Sequence, residues 1–98
     1  MYLIIDDQRD LGCELIAKTA EVGKKALQAL YKDIECLCID HDLGESATGY
    51  DIIYWAIGAG CLPKKIQIVS MNPVGKRAIA RILSEAGYTS KDNTNFTK

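Results

Sequence analysis

The sequence predicts a single three-layer α/β domain, a parallel sheet with helices on both faces. Three observations predict it. Short apolar runs at 2–5 ("YLII"), 35–40 ("ECLCID") and 65–70 ("KIQIVS") alternate with segments whose apolar residues recur at helical spacing. The run at 35–40 is apolar on both faces, as a central parallel strand is. Each run also ends in acidic or polar residues, so the strand ends share one chemically loaded edge.

The elements follow in order. Residues 2–5 form a buried strand that ends in Asp6-Asp7, and "CELIAK" (13–18) forms a second. Only about seven residues, 6–12, separate them, where a parallel crossover usually has a dozen or more and a helix. Fully extended, seven residues reach roughly 23 Å, so a return without a helix is sterically allowed. Thr19 caps the next helix, with Glu21 in its first turn and Val22, Ala26, Leu27 and Leu30 on its inner face; Gly23 weakens it. After the strand at 35–40 comes a loop at 44–49, then a helix over 49–58 burying Ile52, Ile53, Ala56 and Ile57. Gly58 and Gly60 end it and Pro63 forbids its return. The strand at 65–70 leads to Asn72-Pro73, a helix start with proline in the favoured first turn. That helix buries Ala78, Ile79, Ile82, Leu83 and Ala86 and ends at Gly87. A fifth strand is short, at "YTS" (88–90), or absent. Residues 1–90 make the domain, and 91–98 ("KDNTNFTK") read as a loose polar tail.

Composition narrows the function. The 98 residues make one small domain, and 48% hydrophobic with 26% charged residues is ordinary for a globular protein. A formal net charge of −1 argues against bulk nucleic-acid binding. The longest apolar run, Ile52 to Cys61, is too short to span a bilayer. The start lacks a basic segment and a cleavage site, so a cytoplasmic setting is expected. Cys13, Cys36, Cys38 and Cys61 contain no C-x-x-C pair and read as reduced, mostly buried thiols.

Ligands of open parallel sheets bind beyond the carboxyl ends of the strands. There the first strand delivers Asp6 and Asp7, the third Asp40, His41 and Asp42, and the fourth Ser70 followed by Asn72. Carboxylates from adjacent strands suit a hard divalent cation, Mg²⁺ or Mn²⁺. Ser70, Asn72, the main-chain N–H groups near Gly75, and Lys76 make an anion site at a helix start. A cation site facing an anion site serves a phosphoryl group. Taken singly, each piece also has a plain reading: loop solvation for Asp6-Asp7, a turn for Asp42, a bare helix start for Asn72-Pro73, a solvated face for Arg81, a structural role for His41. The combination at one edge carries the functional reading.

The order "IIDD", "CIDHDLG…TGYDII", "IQIVS" resembles the receiver domain of two-component signalling. That resemblance implies a flavodoxin-like strand order 2-1-3-4-5 with the first crossover helix reduced. It also implies Mg²⁺ held by Asp6, Asp7, Asp40 and the main-chain carbonyl of Asp42, with Asp40 as phosphoacceptor, Ser70 on the phosphoryl oxygens and Lys91 as candidate for the receiver lysine. A narrower likeness covers "IDHDLGESATGYDIIYW" and "VSMNPVGKRAI", which are similar to the small phage and bacterial family of cyclic-phosphate-processing receiver-like domains. It implies a nucleotide, a cyclic phosphate or an RNA end as ligand, with Asp40 and His41 catalytic. Val69 stands where that family usually has a second histidine. Two alternatives follow: a protein that sequesters a nucleotide signal without turnover, as in phage counter-defence, and a phosphoacceptor module.

Overall fold

The computed structural model describes residues 1–98. Its elements are β1 (Tyr2–Ile5), β2 (Leu15–Ala17), α1 (Ala20–Leu30), β3 (Cys36–Ile39), α2 (Gly49–Ala59), β4 (Lys65–Ile68), α3 (Pro73–Glu85) and β5 (Asn95–Thr97). They form one five-stranded sheet of order β2-β1-β3-β4-β5. The first four strands are parallel, and β5 runs antiparallel to β4. Ile5 pairs with Ala17 and Ile39, and Ile39 pairs with Ile68. This register aligns the strand ends, so residues 6, 40 and 69–70 emerge at one edge. The return from β1 to β2 contains no helix, as its length predicts.

The expected three layers are corrected to two. Right-handed crossovers from β2 to β3 and from β3 to β4 advance across the sheet in the same direction, so their helices share a face. Packing agrees: the 20-residue core contains every buried apolar residue of α1, α2 and α3, beside Leu3, Ile5, Leu37, Ile39, Ile66 and Ile68. The opposite face buries only Ile4, Cys36 and Cys38, with Cys13 and Val69 against them, and no helical residue. Strand alternation places Tyr2 and Ile16 on that face too, and both are exposed. A helix between β1 and β2 would cover it, and residues 6–14 are too few to make one. All four cysteines are free.

Two local readings are also corrected. In α1 the buried residues are Ala20, Gly23 and Leu27, and Val22 is exposed. A Cβ on Gly23 would lie 2.7 Å from Ile5 Cδ1, so this glycine lets the helix approach β1. The second correction concerns 91–98, which is not a loose tail. Phe96 pairs with Ile66 and is 1% exposed in the core, while "YTS" supplies only a bridge between Thr89 and Thr97.

Candidate active site

Strand ends and helix starts converge at the carboxyl edge. Asp6 follows β1 and is 1% exposed; Asp40 follows β3 and is 8% exposed. Oxygens of Asp6, Asp7 and Asp40 all lie within 4.8 Å of one another. Two buried carboxylates this close need positive charge nearby. Arg9 supplies it: its Nη1 donates to Asp6 Oδ2 at 2.9 Å and sits 3.5 Å from Asp40 Oδ2. Arg9 is the member of this cluster that the sequence reading missed, and a basic residue three positions after Asp6 was its signal.

Burial pushes the Asp40 carboxyl above its ordinary range, and the neighbouring charge of Asp6 adds to the rise. The His41 main-chain N–H, the Ser70 hydroxyl and Arg9 pull the other way. The N–H of His41 donates to Asp40 Oδ1 at 2.8 Å. The chain then enters α2 by a close approach. Gly49 donates its N–H to the His41 carbonyl at 2.8 Å, and a Cβ on Gly49 would collide with the Asp40 carbonyl oxygen. Thr48 caps that helix in a reciprocal arrangement with Asp51. Gly44, at φ +70°, turns the intervening loop beside the Asp7 carboxylate.

His41 belongs to a second cluster. Its Nδ1 lies 3.2 Å from Asp42 Oδ1, and Asn72 Nδ2 donates to Asp42 Oδ2 at 3.3 Å. The imidazole packs on Gly75, where any Cβ would meet the ring. His41 therefore lies at the edge of the site, between Asp42 and the start of α3, with Nδ1 engaged and Nε2 without a hydrogen-bond partner. The Asp42 carboxylate faces His41 and Asn72 and is not one of the three clustered acids.

The anion site differs from its prediction. Asn72 Oδ1 accepts the N–H groups of Val74 and Gly75, and Ser70 Oγ accepts that of Asn72 at 3.0 Å. The N–H groups near Gly75 are thus committed to the cap, and Gly75 makes room for His41. Lys76 Nζ donates to Thr94 Oγ1 at 2.6 Å. Lys91 lies with Ser90 and Asp92 in the exposed turn before β5 and makes no ion pair. Arg9 is the cation at the acids.

A family model described as a cyclic-phosphate processing receiver domain matches residues 1–85. The chain belongs to that family. No curated protein and no solved structure matches it. In this receiver domain the matched residues take in β1 to β4 and α1 to α3, with Asp6, Asp7, Asp40, His41, Ser70 and Asn72. No helix of this receiver-type domain is long and apolar enough to cross a membrane.

Proposed function

We propose that the chain is a divalent-metal-dependent phosphoesterase acting on a nucleotide or cyclic phosphate. The observation that carries this reading is the clustering of Asp6, Asp7 and Asp40 oxygens within 4.8 Å at a strand edge that also presents His41. Three carboxylates and no soft donor fit Mg²⁺ or Mn²⁺, and the guanidinium bridging Asp6 and Asp40 supports a demand for positive charge there. Asp6, Asp7 and Asp40 would hold the ion, which when bound would neutralise charge developing on the phosphoryl oxygens.

His41 carries the proton chemistry. Asp42 on Nδ1 orients the ring, so Nε2 takes the proton from the attacking water. The water oxygen bonds to phosphorus and the ester bond to the sugar oxygen breaks. With Val69 at the other histidine position, the leaving oxygen draws its proton from solvent or receives from His41 the proton just taken from the water. Ser70, whose hydroxyl reaches Asp40, would orient the phosphate. Val69 also favours a second reading, binding of an intact nucleotide signal without turnover. A panel of 3′,5′-cyclic nucleotides and 2′,3′-cyclic phosphates, incubated with Mg²⁺ or EDTA and read by mass, tests both. A gain of 18 mass units that requires metal supports the esterase. Retention of unchanged ligand on the protein supports sequestration.

A further inference from the structure

We infer that Cys13 and Cys38 form an oxidation site, which a small hydroperoxide closes reversibly into an intramolecular disulfide tying the β1–β2 return to β3. The two thiols lie on the sheet face that no helix covers. Strand alternation places Cys36 and Cys38 on that face, packed with Ile4. Cys13 packs against this group from the return, in a turn where its N–H donates to the Asp10 carbonyl at 2.9 Å. The fourth cysteine, Cys61, is buried in the core on the opposite face.

Three features point to this bond. First, the sulfurs meet. The Cys38 thiol hydrogen-bonds with Cys13 on one side and with Cys36 on the other. Cys36 is the wrong partner for a bridge. Two residues apart on one extended strand, Cys36 and Cys38 stand about 7 Å apart at their α-carbons with parallel side chains, at the limit of what a disulfide spans. Cys13 arrives from another segment and is free of that constraint. Second, access is graded. Cys13 is half-buried while Cys36 and Cys38 are buried, so the oxidant meets Cys13 first and its partner is shielded from over-oxidation. Burial pushes the Cys13 thiol up, which slows this first step and protects the reduced form. Third, a base adjoins. The hydrogen bond with Cys38, opposed by burial and aided by the Lys65 charge, draws the Cys36 thiol down to about 7. The same hydrogen bond and burial push Cys38 up, so near neutrality a Cys36 thiolate faces a protonated Cys38.

The Cys13 sulfur attacks one oxygen of hydrogen peroxide and the O–O bond breaks. Cys13 becomes a sulfenic acid, and the departing hydroxide leaves as water with the thiol proton. Cys38 gives its proton to the Cys36 thiolate and attacks the Cys13 sulfur. The S–S bond forms, the S–O bond breaks, and the second hydroxide leaves as water with the proton held by Cys36. The two thiols lose two electrons and the peroxide gains them.

The test treats the full reduced chain with hydrogen peroxide, quenches it with acid and alkylates it in denaturant. The expected product is lighter by about 2 mass units, the two hydrogens lost. Only Cys36 and Cys61 alkylate, where all four thiols of the reduced chain do. Peptide mapping finds the Cys13–Cys38 link, and dithiothreitol restores the four thiols. The bond closes the chain between residues 13 and 38, so Tm rises by about 8 °C or more. Cys13→Ser loses both the bond and the rise, and its reduced form melts near wild type because the side chain is only half-buried. Cys36→Ser and Cys61→Ser keep the bond. In Cys38→Ala no bond forms and Cys13 goes on to the sulfinic acid. Four alkylated thiols after peroxide, or Cys13 oxidised but unlinked in the wild type, overturns the inference. So does a link through Cys36 or Cys61, a link between two chains, or a Cys13–Cys38 bond that lowers Tm.

Discussion

Two clusters share the carboxyl edge and are built on opposite terms. Around Asp6 and Asp40, buried carboxylates are crowded and held by a cation, with Arg9 at 2.9 Å from one and 3.5 Å from the other. Around Asp42, an exposed carboxylate is shared by an imidazole and an amide, and a glycine makes room for the ring. The first arrangement concentrates charge at the cost of desolvation. The second fixes the direction of one side chain and costs little. On the phosphoesterase reading proposed above, the contrast would separate the work: the buried cluster would bind, and the exposed one would move a proton.

The sharpest break is His41→Ala. As the proton carrier, His41 is worth roughly 10²–10⁴-fold in turnover, with ligand affinity nearly intact. Turnover and thermal melting of the same preparation check this. Full activity in a well-folded variant would end the catalytic role.

Next comes the metal. Mg²⁺ or Mn²⁺ at about 100 times its Kd stabilises the fold by about 2.7 kcal/mol. For a domain of this size that raises Tm by about 10–20 °C. Arg9→Gln lowers the metal-free Tm, because Asp6 and Asp40 lose their counter-charge, and enlarges the metal-induced rise. Melting curves with EDTA and with millimolar metal decide it: curves that metal leaves unchanged in both wild type and variant mean the acids hold no ion.

Gly75→Ala probes the second cluster alone. Its Cβ would run into His41 Cγ, so the ring or the helix must shift. Overpacking of this kind costs about 1–3 kcal/mol. Turnover falls along with Tm, while the metal-induced rise in Tm is kept. Gly58→Ala, with nothing within 4 Å of the new Cβ, is the control and gains about 0.5–1 kcal/mol. Loss of the metal response in Gly75→Ala would show that the clusters do not work separately.

The smallest effect is in pH. Native Asp40 binds its proton more tightly than the unfolded chain does, so its contribution is fully present below the ordinary aspartate range. It is lost as pH rises through the raised native value. Asp40→Asn removes that loss and leaves the metal-free protein more stable near neutrality, with a weaker metal response. Chemical denaturation in EDTA between pH 3 and pH 8 measures the slope. A metal-free variant that is less stable than wild type at pH 7 would contradict the burial argument.

Much of this was legible in the residues themselves, wherever the determining physics is local. Alternation of apolar runs fixes strands and helices, Thr19 and Asn72 announce their helices, and parallel order brings Asp6, Asp7 and Asp40 to one edge. Contacts between distant segments decided the rest. That the helices crowd one face follows from crossover handedness summed over the sheet, which no single segment encodes. Phe96 joins the core because the edge of β4 was open to pairing, a fact invisible in a polar stretch. The sequence reads Gly23 as a helix weakener and Gly75 as part of an anion site, whereas the fold uses them where Ile5 and His41 come too close for a Cβ. The N–H groups of Val74 and Gly75 look free in sequence and are consumed by the Asn72 cap. Arg9 looks like a loop charge until two buried carboxylates, 34 residues apart in the chain, close around it.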